Sequence, residues 1–116
     1  MEEWDETPYP GMIRELPEID IPLEGVRGWL LQGAKTQVVF FDIASTSEVP
    51  PHSHCAQWGM VVEGEMELTI GNETKVYRKG DWYYIPESVP HGASFTTRSF
   101  VIDLFDDPGR YKIKNP

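Results

Sequence analysis

Short β-rich runs separated by glycine, proline and asparagine constrain the fold of this chain more than any other feature. After residue 24, no stretch keeps the 3.6-residue hydrophobic period of an amphipathic helix. Gly64 links the run 58–63 to the run 65–70, and the pair Gly71-Asn72 links the latter to 73–77, as in a tight hairpin. Further strands are predicted at 26–32, 36–43, 81–85, 91–95 and 99–105. Many short strands at even spacing favour a β-sandwich or barrel over βαβ units.

The first 24 residues differ from the rest because they are rich in acidic residues and proline. Proline removes a backbone donor and favours extended or turn geometry. We therefore divide the chain into an acidic, proline-rich N-terminal arm, residues 1–24, and one β-barrel domain, residues 25–116. A domain this small leaves much of its surface wet, so we expect a homodimer in which the arm packs across a neighbouring subunit.

The charge and composition of the chain exclude several kinds of partner. A net charge of −9, from 19 acidic and 10 basic residues, lacks the basic footprint that nucleic acid and anionic membranes require. No apolar run approaches the roughly 20 residues of a membrane span. The start of the sequence lacks the features of a signal peptide, and the single cysteine, Cys55, fits a reducing compartment. We expect a cytoplasmic protein without nucleic-acid or membrane partners.

The three histidines of the chain form a pattern typical of a metal site. His52 and His54 are two residues apart, so on a strand both side chains point to the same face. His91 lies far away in the sequence and would complete a facet of three imidazole nitrogens. Such a facet suits zinc, nickel, iron, copper or manganese. We predict one divalent metal ion of open identity. The alternative is that the histidine pair is solvated surface in an exposed loop.

Two motifs around these histidines identify a family resemblance. The run 50–57, PPHSHCAQ, with VVEGE at 61–65, resembles the first motif of the cupins, and GDWYYIP at 80–86, with VPHG at 89–92, resembles the second. The resemblance implies an all-β, single-domain cupin, a jelly-roll-like double-stranded β-helix barrel. Thr46 and Ser88 stand where these motifs usually have glycine, and Gln57 replaces the glutamate that often serves as the fourth metal ligand.

Gln57 matters because its amide oxygen is neutral. A carboxylate would cancel one unit of the metal's charge, whereas three imidazoles and one amide cancel none. Such a site favours anionic or enolate ligands and works as a Lewis acid, so we expect it to polarise a substrate oxygen rather than activate dioxygen. The alternative is that Gln57 only hydrogen-bonds a histidine or water.

A carboxylate follows on the last predicted strand, where Val101, Asp103 and Phe105 share one face. If that face lines the barrel, Asp103 is an acid in an apolar lumen and a candidate general acid or base. If it faces outward, Asp103 pairs with a surface lysine. Trp58, which is adjacent to Gln57, is a candidate substrate contact at the mouth of the barrel.

The whole pattern, including the later Arg110, resembles the uronate-linearising (KdgF-like) cupins. This resemblance implies conversion of 4,5-unsaturated uronates from the ring form to the linear keto form. It also implies metal ligation by His52, His54, Gln57 and His91. Asp103 would transfer the proton, Phe105 would form a wall, and Arg110 would hold the substrate carboxylate.

Four functions are open at this point. The first is a Lewis-acid isomerase or tautomerase of a small oxygenated substrate, most specifically a sugar acid such as an unsaturated uronate. The second is a metal-dependent dioxygenase. The third is a non-catalytic module that binds or senses a small molecule. The fourth is a cyclase with the same metal ligands. The fold alone does not choose among them.

Overall fold

The computed structural model describes residues 7–114, whose regular structure consists of one short helix and nine strands. The helix, α1, is Gly11–Arg14. Among these residues no helix has the length and apolar character that a membrane crossing requires. The strands are β1 (Val26–Gln32), β2 (Gln37–Ile43), β3 (Glu48–His52), β4 (Gln57–Glu63), β5 (Glu65–Ile70), β6 (Glu73–Arg78), β7 (Trp82–Ile85), β8 (His91–Phe95) and β9 (Ser99–Phe105).

The strands form two antiparallel sheets, and the chain passes repeatedly from one sheet to the other between strands. One sheet has the order β1-β2-β9-β4-β7, and the other has the order β3-β8-β5-β6. Side chains alternate along the strands, and the fully buried Val39, Val61 and Val101 lie on the inner face of the five-stranded sheet. The main hydrophobic core therefore lies between the sheets. The prediction of an all-β, jelly-roll-like barrel is confirmed.

Strand β3 is absent from the predicted runs because Pro50 and Pro51 interrupt its sequence. The strand lies at the edge of the four-stranded sheet, and its pairing with β8 shifts register between Val49 and His52. Proline is tolerated at an edge or a bulge, where its missing N–H is not needed by a neighbouring strand. Pairing resumes with His52 opposite His91, so the register brings two distant histidines together.

The described part of the arm packs against its own barrel. Tyr9 is buried, and its ring lies 6.0 Å from that of Trp29 and 5.5 Å from that of Phe100, on the outer side of the five-stranded sheet. Ile19 is fully buried in the main core. Residues 1–6 of the arm lie outside the described residues. The boundary at residue 24 and the packing across a second subunit stay predictions.

Candidate metal centre

A cavity of about 390 Å³ lies between the two sheets, and most of the predicted site residues line it. Strands β3 and β8 and the loop after β3 contribute the histidines, while β4 and β9 contribute residues from the opposite sheet. The C-terminal segment after β9 closes part of the wall. The predicted residues that line the cavity are His52, His54, Gln57, His91, Asp103, Phe105 and Arg110.

The three imidazoles converge on one point. One ring nitrogen from each of His52, His54 and His91 lies within 4.8 Å of the other two. The Nε2 atoms of His54 and His91 are only 3.1 Å apart. His54 lies just beyond the end of β3 rather than on the strand, yet its ring still joins those of His52 and His91, as the two-residue spacing predicts.

Backbone carbonyl groups fix the tautomer of all three rings. The Nδ1 atoms of His52, His54 and His91 each lie 2.9 Å from a carbonyl oxygen, of Pro50, Cys55 and Val89 respectively. A carbonyl oxygen can only accept, so each Nδ1 donates and carries the proton. In the neutral rings the Nε2 atoms therefore present lone pairs. Two lone pairs facing each other at 3.1 Å repel unless a cation lies between them, and this arrangement suits a divalent metal ion.

The surroundings favour the neutral form of two of the imidazoles, those of His54 and His91. Burial, aided by the charge of Arg110, lowers the pKa of His54 to about 4. Burial also lowers the pKa of His91, which is 5% exposed. Since a metal binds only the unprotonated nitrogen, these shifts favour ligation at neutral pH.

Gln57 offers an oxygen that the described residues leave without a partner. Its Oε1 atom is buried and accepts no hydrogen bond among them. Its amide group, in contrast, is hydrogen-bonded to Asp103. Because the carboxylate accepts this bond, the amide nitrogen faces Asp103 and the oxygen stays available. A buried, unpartnered oxygen in the same cavity as the imidazoles fits a fourth metal ligand.

Asp103 faces the cavity rather than the solvent. It is 5% exposed, and the Tyr83 hydroxyl donates a hydrogen bond of 2.6 Å to its Oδ1 atom. Burial raises the pKa of Asp103 to about 6, although the hydrogen bonds from Tyr83 and Gln57 oppose the rise. The carboxyl group can therefore exchange a proton near neutral pH.

Two residues that the sequence does not single out support this carboxyl group. The sequence predicts only an ordinary core aromatic at Tyr83, yet its hydroxyl donates a hydrogen bond to Asp103. Gly59 lies directly opposite both residues in the sheet, and a Cβ atom there would overlap the Asp103 carboxylate and the Tyr83 ring. The signal that could have revealed them is the register of β4 with β7 and β9, which spacing along one strand does not contain.

Arg110 supplies a positive charge beside the imidazoles. Its guanidinium lies 4.4 Å from the centroid of the Tyr111 ring and 5.8 Å from that of Phe105. Its Nε atom is buried and has no hydrogen-bond partner within residues 7–114. A guanidinium at the wall of a cavity, whose Nε–H has no hydrogen-bond partner among the described residues, fits an oxyanion such as a carboxylate.

Trp58 lies outside the cavity. It alternates with Gln57 along β4, so its side chain points to the outer face of the sheet, where it is 38% exposed beside Tyr84 and Leu104. This placement gives no support to its predicted contact with substrate, and we assign it no part in the site. Phe105, in contrast, lies 5.6 Å from His54 between ring centroids.

Comparisons with known proteins agree with this geometry. The Cupin domain family model matches residues 39–103. H2HPP isomerase from Bacillus subtilis is 36% identical over 82 residues, which are 69% of this chain and 35% of that protein. The chain thus spans about a third of the length of this curated relative.

Solved structures give the same result. An RmlC-like cupin from Shewanella frigidimarina NCIMB 400 is 31% identical with a TM-score of 0.74, covering 83% of this chain and 87% of that one. KdgF from Halomonas sp. is 27% identical with a TM-score of 0.71, covering 79% of this chain and 86% of that one. The family model spans more than half of the sequence. The chain therefore belongs to the cupin family.

Proposed function

We propose that this cupin is a metal-dependent isomerase or tautomerase of a small oxygenated anion; 4,5-unsaturated uronates are the specific substrate that the KdgF-like resemblance implies. One observation carries the proposal. Three converging imidazole rings, and an amide oxygen without a hydrogen-bond partner among residues 7–114, share a cavity with a buried carboxyl group whose pKa is raised to about 6. An electrophile and a proton-transfer group in one cavity are the two parts that an isomerisation needs.

The relatives support the same class of reaction. The Bacillus subtilis protein that matches part of this chain is named an isomerase. KdgF from Halomonas sp. shares the fold at 27% identity. Neither similarity supplies the substrate of this chain, so the substrate is a matter for experiment.

Four neutral ligands define the character of the proposed centre. His52, His54, His91 and the Gln57 oxygen would hold the metal, which when bound supplies Lewis-acid polarisation of a substrate oxygen. Because no ligand carries a negative charge, the protein leaves the positive charge of this end of the cavity available for an anionic substrate. This property favours isomerisation over the dioxygenase alternative.

The remaining residues would handle the substrate and its proton. Arg110 would hold the carboxylate through its Nε–H, which has no partner among the described residues, with Phe105 as the adjoining wall. Asp103 would take a proton from a substrate oxygen and return it to carbon, so that one O–H bond breaks and one C–H bond forms. Tyr83 would position the carboxyl group for this transfer through its 2.6 Å hydrogen bond.

The direct test mixes the metal-loaded protein with lyase-generated unsaturated monouronates and follows the loss of alkene absorbance. We expect acceleration over buffer and a loss of about 100-fold or more in Asp103→Asn. Asp106→Asn, a change of an exposed aspartate three residues away, is the matched control and should keep the rate.

Three results would count against parts of this proposal. No acceleration with the metal loaded would reject the uronate substrate. An unchanged rate in Asp103→Asn would reject the proton-transfer role. Oxygen uptake by the iron-loaded protein would point to the dioxygenase alternative.

A further inference from the structure

Gln37 is a polar residue on an otherwise apolar stretch of the inner face of the five-stranded sheet. On β2 it shares this face with Val39 and Phe41, and it is only 1% exposed. Its partner in the sheet is Phe105, whose other neighbour is Gln57, the proposed fourth metal ligand. Burial of an amide group costs free energy unless other hydrogen bonds replace those to water. The partners of Gln37 therefore indicate what this side chain does.

Both ends of the Gln37 amide group bond to the C-terminal segment after β9. The Nε2 atom donates to the carbonyl oxygens of Pro108 and Tyr111, each at 3.0 Å. The Oε1 atom accepts from the Tyr111 N–H at 2.9 Å. A carbonyl oxygen can only accept and an N–H can only donate, so these partners fix which end of the amide is nitrogen. We call these three hydrogen bonds from Gln37 to Pro108 and Tyr111 the Gln37 clamp.

Gln32 reinforces the clamp from the neighbouring strand. It lies directly opposite Gln37 in the sheet, and its Oε1 atom accepts from the Gln37 Nε2 atom at 2.8 Å. Its own Nε2 atom donates to the Pro108 carbonyl oxygen at 2.9 Å. Two glutamine side chains thus hold one carbonyl group of a segment that is more than 70 positions away in the sequence.

Arg110 lies between the two residues that the clamp holds. Its guanidinium is 4.4 Å from the centroid of the Tyr111 ring, so the clamped Tyr111 also provides the surface against which the guanidinium packs. The Arg110 Nε atom is buried and has no hydrogen-bond partner among residues 7–114. The position of Nε at the cavity wall therefore depends on how the backbone on either side of it is held.

Resting on the role of Arg110 in the proposed function, we infer that Gln37 is a positioning residue for substrate binding. The Gln37 clamp fixes the backbone around Arg110 and so sets where the guanidinium meets the anionic group of the substrate. Gln37 itself does not touch the substrate. The bound carboxylate keeps its charge throughout the reaction, so Arg110 holds the substrate and the transition state alike. Loss of the clamp therefore weakens substrate binding and leaves the chemical step nearly unchanged.

Two matched variants of the zinc-loaded full chain separate positioning from stability, with lyase-generated unsaturated monouronates as substrate. Gln37→Met nearly keeps the side-chain volume and removes the clamp. Ser99→Ala removes the hydrogen bonds of another fully buried polar side chain, at the opposite end of β9 from Phe105. We expect Gln37→Met to raise KM at least about tenfold with kcat within about threefold, and Ser99→Ala to leave both within about twofold. An unchanged KM in Gln37→Met, or an equal rise in Ser99→Ala, overturns the inference.

Hydrogen exchange of the Arg110 Nε–H detects the same displacement without any substrate. NMR of the arginine-labelled protein measures its exchange with water. We expect exchange at least about tenfold faster in Gln37→Met than in the wild type, because the segment opens more readily without the clamp. The Nε–H of Arg78, whose side chain is 65% exposed, is the internal reference and should exchange equally in both proteins. Equal exchange of the Arg110 Nε–H in the two proteins overturns the inference.

Gln32→Met is the milder variant that decides the inference if Gln37→Met does not fold. Gln32 is exposed, and its loss removes one of the two side-chain bonds to the Pro108 carbonyl oxygen while Gln37 stays in place. We expect exchange of the Arg110 Nε–H to be at least about twofold faster than in the wild type. An unchanged rate in this variant overturns the inference.

The two measurements distinguish failure of the inference from failure of the proposed function. No turnover of uronates by the wild type, together with faster Arg110 exchange in Gln37→Met, rejects the proposed substrate and supports the positioning of Arg110 by Gln37. Turnover by the wild type with the same KM in Gln37→Met supports the proposed function and overturns the inference.

Discussion

The two walls of the site are built in different ways. The histidine wall, His52, His54 and His91, comes from the four-stranded sheet and the loop after β3, and each ring is held by a carbonyl group no more than two residues away. The carboxyl wall, Gln57, Tyr83 and Asp103, comes from three strands of the five-stranded sheet. Its hydrogen bond between Tyr83 and Asp103 joins residues that are 20 positions apart. Local contacts thus shape the first wall, and sheet register shapes the second.

This difference explains what the sequence alone can predict. The sequence predicts the histidine wall because the three ligands and their carbonyl partners lie in short, recognisable segments. For Asp103, alternation on β9 groups it with Val101 and Phe105 but does not say which face is inside. Only the pairing with Gly59, which has no side chain to fill the space, creates room for the carboxyl group. The sequence does not predict β3 for another reason: its prolines are compatible with a strand only at an edge or a bulge, and neither is visible in the sequence.

Removal of one histidine should have the largest effect. We expect His91→Ala to lower metal affinity by at least about 100-fold, because even indirect partners of metal ligands contribute 10- to 100-fold. Competition with a chelating indicator measures the change. Ser53→Ala, at the exposed position between the other two histidines, should bind as the unmodified protein does. Wild-type affinity in His91→Ala would show that the three rings do not act together.

A methyl group at Gly59 should damage the carboxyl wall without touching the histidine wall. Gly59→Ala forces Asp103 and Tyr83 apart, so we expect a loss of about 1–3 kcal/mol in the free energy of unfolding. Urea denaturation with the metal removed measures it. Gly11→Ala, in the short helix where a Cβ atom would meet only the Glu15 carboxylate at 3.9 Å, should change stability by less than about 1 kcal/mol. Equal stability of Gly59→Ala and the wild type would contradict the close packing described for this wall.

The two walls should respond to pH with opposite signs in the metal-free protein. Burial lowers the pKa of His54 from 6.5 to about 4, so its contribution to stability is present above pH 6.5 and is lost as the pH falls toward 4. Burial raises the pKa of Asp103 from 3.8 to about 6, so its contribution is present below pH 3.8 and is lost as the pH rises through 6.

Thermal denaturation in EDTA between pH 4 and 6.5 separates these contributions. In His54→Gln the slope of stability against pH should be more negative than in the wild type, because the Asp103 contribution is less opposed. In Asp103→Asn the slope should be more positive, because the imidazole contribution is less opposed. Changes of the same sign in both variants would contradict the assignment.

The smallest expected effect concerns the two motif positions that lack glycine. Thr46 and Ser88 have positive φ angles of 64° and 66°, a region that costs a residue with a side chain about 1–2 kcal/mol. The Ser88 N–H also donates to the His54 carbonyl oxygen at 2.9 Å, so this strained turn supports the histidine wall. We expect Thr46→Gly and Ser88→Gly each to raise stability by about 0.5 kcal/mol after the entropic cost of glycine.

Ser45→Gly is the control for these two changes. Ser45 is exposed and has no positive φ angle, so glycine there should lower stability by about 0.5–1 kcal/mol. Denaturant titration compares the three variants. A loss of stability in Thr46→Gly and Ser88→Gly equal to that of Ser45→Gly would show that the turns carry no strain.

The central claim is that three Nδ1-protonated imidazoles present their Nε2 atoms to one divalent ion. Long-range ¹H–¹⁵N NMR of the histidine-labelled protein, before and after one equivalent of zinc, tests it most directly. We predict that the Nε2 resonances of His52, His54 and His91 all shift together at one equivalent while each Nδ1 keeps its proton. Nε2 resonances whose chemical shifts do not change with zinc, or rings that bind zinc through Nδ1, would contradict the account.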